Sequence, residues 1–187
     1  MLIDLSILVT RFRSKEALDN EKIAAFGHMG THFDVMDKEF PLEYLRRDGI
    51  VFEAPSDPDR EIGIRDVDLS LVGPGMFAAF RTGFIDRHEY GSKEYFSGHP
   101  QLAEDLIDAL LDRGVSIIGI DFAGMRRGPE HTPKDQYCAD RGVFVVENLC
   151  NLDAVLRGRP SASCIMHTYP IKFAGLSGLP CRVAAEI

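Results

Sequence analysis

Residues 100–120 constrain the fold more than any other stretch. From Pro100 to Arg113, Leu102, Leu106 and Leu110 recur along one face, widened by Ile107 and Leu111, which predicts an amphipathic helix. Pro100 stands at the favoured first position, Glu104 and Asp105 lie near the positive end, and Gly114 closes the helix. Val115-Ser116-Ile117-Ile118-Gly119-Ile120 follows as an almost wholly apolar run, the pattern of a strand covered on both faces. Asp121 comes directly after it, either as a loop cap or as a polar group presented at a sheet edge. Val143-Phe144-Val145-Val146 repeats the pattern and delivers Glu147, either a helix-starting acid or a ligand held at the sheet end.

The remaining elements are shorter. Strands are expected over 2–10, 49–53, 76–81, 164–169 and 182–187, with one helical turn over 41–46 beginning at Pro41 and helices over 134–141 and 151–156. Residues 11–23 read as a charged loop or a brief helix. Residues 123–134, with Arg126 and Arg127 among glycines and prolines, read as a solvated loop tip, the basic pair being the alternative selector of an anionic substrate. Gly73, Gly75 and Ala78 match the spacing G-x-G-x-x-A, but Pro74 occupies the turn and a strand rather than a helix follows, so the segment is taken as a turn. No repeat or domain boundary is evident, and residues 1–187 are taken as a single domain.

The chemistry concentrates in residues 27–38. His28, His32 and Asp34 fall within seven positions, with Gly27 and Gly30 before and between them. Neutral imidazole nitrogen and carboxylate oxygen are ligands of Zn²⁺, and Mn²⁺ accepts them too. On a strand, the spacing of two puts His32 and Asp34 on one face, and the glycines let the chain bend so that His28 reaches the same point. A helix would also bring His28 and His32 together, but Gly30 and Thr31 are poor helix formers. The alternative is a turn that merely satisfies these polar groups beside a core strand.

Composition excludes several classes. The net charge of −8 argues against a nucleic-acid surface, and no apolar run approaches the roughly 20 residues that span a bilayer. Met1-Leu2-Ile3-Asp4 lacks a basic flank, so no signal peptide is expected; the four scattered cysteines read as reduced thiols and the setting as cytoplasmic. There is neither a G-x-S-x-G elbow nor a G-x-x-x-x-G-K-[ST] loop. His88, His99 and His167 stand isolated.

Segment 28–38 resembles the signature H-x-G-T-H-x-D-x-P-x-H of the cyclase family, which includes bacterial kynurenine formamidase and isatin hydrolase. His28, Gly30, Thr31, His32 and Asp34 stand in register. Asp4-Leu5-Ser6, Arg81-Thr82-Gly83-Phe84, Ile118-Gly119-Ile120-Asp121, Val146-Glu147-Asn148-Leu149 and Leu179-Pro180-Cys181-Arg182-Val183 resemble further family elements, so the similarity spans nearly the whole chain. The resemblance implies an α/β fold, a layered β/β/α single domain of the swivelling, cyclase-like type with a mixed sheet. It also implies a homo-oligomer, dimer or tetramer, acting on a small-molecule substrate. The activity implied is metal-dependent hydrolysis of amide or related acyl bonds in small cyclic or formylated compounds, with zinc or manganese as the metal. Carried over by position, His28, His32, Asp34 and Glu147 bind the first metal, with Asp34 and Glu147 able to bridge to a second.

Two stretches depart from the family pattern. Met36 and Lys38 stand where the family has proline and a catalytic histidine, and Asp135 stands where another histidine ligand is expected, twelve residues before Glu147. Asp135 can still ligate as a hard oxygen donor, with His131 as the alternative. In the implied mechanism the metal lowers the pKa of bound water from about 16 toward 7, giving hydroxide that attacks a polarised carbonyl. Asp34, Glu147 or Asp135 accepts the proton, and Lys38 stabilises developing negative charge. The alternative functions are a non-catalytic metal-binding member of the same fold and an assembly protein whose histidines only stabilise a turn.

Overall fold

The computed structural model describes residues 1–9 and 27–187; the charged segment 11–23 lies outside them. Eight strands form one mixed sheet: β1 Leu2–Asp4, β2 His32–Asp34, β3 Arg46–Glu53, β4 Phe77–Arg81, β5 Ile117–Ile120, β6 Phe144–Glu147, β7 Ser161–Pro170 and β8 Gly178–Glu186. β3, β4, β5 and β6 run parallel to one another. β2 pairs antiparallel with both β6 and β8, and β7 pairs antiparallel with both β3 and β8. The order β8-β2-β6-β5-β4-β3-β7 therefore returns to β8, closing a seven-stranded barrel, with β1 pairing on the edge of β8 opposite β7, beyond β2.

Closure explains the doubly apolar strands. Val51, Phe77, Ala79, Ile117, Phe144 and Val146 point inward, where they meet Phe33, Met166, Leu179, Val183 and Ala185 from the other strands. Their neighbours Ile50, Phe52, Ala78, Phe80, Ile118, Ile120 and Val145 point outward and pack against Leu106, Ile107 and Leu110. Those three belong to the helix Glu104–Asp112. Alternation thus feeds two cores at once, and burying apolar side chains on both faces is the main force holding the sheet.

The helices lie close to their expected places, with informative differences. Five short α-helices are present among the described residues: α1 Phe84–Arg87, α2 Lys93–Ser97, α3 Glu104–Asp112, α4 His131–Ala139 and α5 Leu152–Leu156. α3 starts after Ala103 rather than at Pro100, because the backbone of 101–103 is engaged elsewhere. The Leu102 N–H donates to the Met125 carbonyl, the Ala103 N–H to that of Ile62, and Gln101 accepts from Ile62. α4 begins at His131, three residues before the expected start, since Pro133 falls in its first turn, where a missing N–H is harmless. Pro41 precedes its 3₁₀ turn, Leu42–Leu45, as the cap residue. The solvated loop tip is corrected as well. Arg126 is only 8% exposed, its guanidinium donating to Glu61, Glu130 and the Leu102 carbonyl. Residues 73–76 make the expected turn into β4. Among the described residues no helix is long and apolar enough to cross a membrane.

Gly119 faces the barrel interior, where a Cβ would lie 2.5 Å from Phe77 Cε1 and 2.8 Å from Leu149 Cδ1. Gly119→Ala is expected to lower unfolding free energy by about 1–3 kcal/mol through overpacking, read as a shift in the urea midpoint at unchanged slope.

Candidate metal centre

Three elements and one turn deliver six polar side chains to one point on the outer wall of the barrel. On β2, His32 and Asp34 share the face opposite Phe33, which points into the barrel core. His32 lies directly across from Glu147 on β6, whose neighbour Val146 also points inward. Helix α4 brings His131 and Asp135, four residues apart and so on one helical face. His28 arrives from the turn before β2. Gly27, at φ +83°, touches Gly178 so closely that a Cβ would sit 2.0 Å from its carbonyl oxygen.

The distances define the cluster. His28 Nδ1 lies 2.9 Å from Asp34 Oδ1. His32 donates from Nδ1 to the Gly30 carbonyl at 2.9 Å, which leaves the lone pair on Nε2. That lone pair faces Asp34 Oδ1 at 3.7 Å and Glu147 Oε2 at 3.6 Å. His131 Nε2 bridges Glu147 Oε1 at 3.0 Å and Asp135 Oδ2 at 3.1 Å. The ligand atoms form two groups, His28–His32–Asp34 and Asp34–His131–Asp135, each within 4.8 Å and sharing Asp34.

His32, Asp34, Asp135 and Glu147 are all buried, and Asp34 Oδ2 and Asp135 Oδ1 have no hydrogen-bond donor. A lone pair and several carboxylate oxygens facing one another repel, and buried acceptors without donors are costly. One or two cations at this point would satisfy them all, and mixed imidazole–carboxylate donors suit zinc or manganese.

The electrostatics carry the same message. Burial and the nearby Asp34 charge push Glu147 up to about 8 and Asp135 up to about 7. Burial opposes charge on His131, yet its hydrogen bonds to Asp135 and Glu147 prevail and raise it to about 12. Burial lowers His32, whereas Asp34 outweighs burial and raises His28. Without a cation, protons take its place.

A second layer holds the turn 28–32 in place. The Asn148 side chain donates to the Gly30 carbonyl at 2.8 Å and accepts from the Tyr95 hydroxyl at 2.7 Å. Thr31 donates to the Asn148 carbonyl, and the Gly30 N–H donates to Tyr90. Asn148, Tyr90, Tyr95 and Ser177, which meets His28, were not singled out from the sequence. Asn148 alone carried a signal, its place beside Glu147.

The structure brings together His28, His32, Asp34, Asp135 and Glu147, and places His131, expected as the alternative to Asp135, beside it rather than instead of it. It does not bring Lys38. That ammonium pairs with Asp140 at 2.8 Å and Asp37 at 3.0 Å beside the C-terminal end of α4, beyond ion-pair reach of Asp34, Asp135 and Glu147. These carboxylates raise its pKa further, so the expected role for Lys38 at the reacting centre is corrected: its charge is already engaged at the surface. Asp121 resolves toward the capping alternative, accepting from the N–H groups of Thr82 and Gly83 and from the Thr82 hydroxyl. His99 is buried against Phe122, His167 pairs with Glu186, and His88 stacks on Phe84.

A closed mixed barrel with a carboxylate–imidazole centre on its wall defines a class of metal-binding α/β protein. The Cyclase family model matches residues 3–125, and the chain belongs to that family. Solved structures share the fold, among them the following three. A potential metal-dependent hydrolase with cyclase activity is 22% identical, with 99% of this chain and 96% of that one covered at TM-score 0.72. Isatin hydrolase A from Labrenzia aggregata, bound to benzyl benzoate, is 17% identical, with 99% and 93% covered at TM-score 0.73. Isatin hydrolase A from Ralstonia solanacearum is 18% identical, with 99% and 91% covered at TM-score 0.73. No curated protein sequence matches the chain.

Above about pH 6.5 the cation-free folded protein holds protons on Glu147, Asp135 and His131 that the unfolded chain, with ordinary values of 4.5, 3.8 and 6.5, has released. Folding then binds protons, so stability falls as pH rises. Cations displace those protons, so their affinity climbs over the same range. The melting temperature of chelator-treated protein is expected to fall from about pH 6.5 to about pH 8.5, while the stabilisation by added Zn²⁺ or Mn²⁺ grows, both read by differential scanning fluorimetry.

Proposed function

We propose that the protein is a metal-dependent hydrolase that opens an amide or related acyl bond in a small cyclic or formylated compound. The observation that carries this reading is the convergence of His32 Nε2, Asp34, Asp135 and Glu147 on a buried point where two carboxylate oxygens lack donors. Membership of the cyclase family and the hydrolase names of the structural neighbours support the reaction class.

His28, His32, Asp34 and Glu147 would hold one divalent cation, zinc or manganese, and Asp34, Asp135 and His131 offer a second group of donors. When bound, such a cation polarises a carbonyl and brings the pKa of water into the neutral range. The side chains supply orientation and proton handling. The Gly30 carbonyl fixes which nitrogen His32 presents. Asp34, Glu147 or Asp135 would accept the one proton that an attacking water gives up. With only the first group filled, His131, whose side chain is 34% exposed, would link Glu147 to solvent. Lys38, paired at the surface, braces the turn after β2 against α4.

Chelator-treated protein screened against N-formyl amines, cyclic imides and lactones is expected to hydrolyse a member of these classes only after Mn²⁺ or Zn²⁺ is restored. Glu147→Gln should lower kcat/KM by about 100-fold or more, whereas Lys38→Ala should change it by less than about threefold, as for an exposed ion pair. Chelator-insensitive turnover counts against the proposal. Stoichiometric cation with no turnover on any acyl substrate favours the non-catalytic alternative.

A further inference from the structure

The two imidazoles from the turn and β2 are oriented by partners of different kinds. His32 donates to a carbonyl, which can only accept, so its Nε2 always carries the lone pair. His28 presents the other nitrogen: Nδ1 faces Asp34 at 2.9 Å, while Nε2 meets the Ser177 hydroxyl at 2.8 Å. A hydroxyl donates or accepts as required.

Ser177 is itself firmly placed. Its carbonyl accepts from the N–H groups of Val35 at 2.8 Å and Met36 at 3.0 Å, clamping the chain before β8 to the end of β2. The next residue, Gly178, packs so tightly that a Cβ there would lie 2.8 Å from Gly27 and 2.9 Å from His28 Cδ2. The hydroxyl is therefore aimed at the ring by backbone contacts that do not involve its own side chain.

We propose that Ser177 is a positioning residue that holds His28 with Nδ1 toward the centre and lets its tautomer exchange as the centre fills. This rests on the metal-centre reading above. With neutral His28 and no cation, Nδ1–H donates to Asp34, and the Ser177 O–H donates to Nε2. With Nδ1 serving as a ligand, its proton leaves, Nε2 gains one, the ring stays neutral, and Nε2–H donates to a hydroxyl that has turned. A fixed acceptor such as a carbonyl would suit only the second state. Ala would leave Nε2–H without a partner and the ring free to rotate.

The test is calorimetric titration of chelator-treated wild type, Ser177→Ala and Ser177→Thr with Zn²⁺, alongside ¹⁵N-histidine NMR of the zinc-loaded wild type. Ser177→Ala should weaken zinc binding by about 10–100-fold, the usual loss when a ligand's outer hydrogen bond is removed. Ser177→Thr, which keeps the hydroxyl, should rescue most of that loss. The spectra should show His28 zinc-bound at Nδ1 and protonated at Nε2. Equal affinity in wild type and a folded Ser177→Ala, or zinc at Nε2, overturns the role of Ser177 and leaves the metal centre standing. A wild type that binds no zinc or manganese overturns the centre and this inference with it. Should Ser177→Ala fail to fold, the wild-type spectra decide alone.

Discussion

The cross-strand pairing of His32 with Glu147 is the contact on which the rest depends. Both lie on short strands whose alternate residues enter the barrel core, so the register that buries Phe33 and Val146 also turns His32, Asp34 and Glu147 outward. A slip of one residue would exchange the two sets. β8 guards against it from the other side, pairing Leu179 with Phe33 and Pro180 with His32. Apolar packing thus enforces an arrangement that electrostatics alone would oppose, with three carboxylates buried beside one another. The fold supplies the rigidity and the centre supplies the chemistry.

Much of this was legible locally. The spacing of His32 and Asp34 is a two-residue strand pattern, and a strand is what forms there. The apolar runs before Asp121 and Glu147 fall in β5 and β6, and the turn at Gly73–Gly75 leads into β4 as read. Barrel closure was not legible, since it depends on β7 and β8 pairing across a loop while β8 also reaches β2. Nothing in either strand's own pattern announces both partners.

The misreadings have two sources, local features given the wrong weight and partners distant in sequence. Proline content suggested a loop up to Lys134, yet a proline in the first turn leaves a helix intact, and His131 joins Asp135 on α4. Arg126 looked solvated because its neighbours are turn residues; its carboxylate partner Glu61 lies 65 positions away. Lys38 occupied a suggestive position in a motif, and position proved a weaker guide than the two acids beside its ammonium. Ser177 sits in a glycine- and proline-containing loop and acquires meaning only where that loop meets His28.

The centre lies on the outer wall of the barrel, under α4, and shares no side chain with the packed interior. Exchanging an oxygen donor for a nitrogen donor at position 135 would leave the interior packing untouched. Such an architecture separates what keeps the chain folded from what sets its reactivity. A change of donor on that wall can therefore alter which cation it prefers without rearranging the interior.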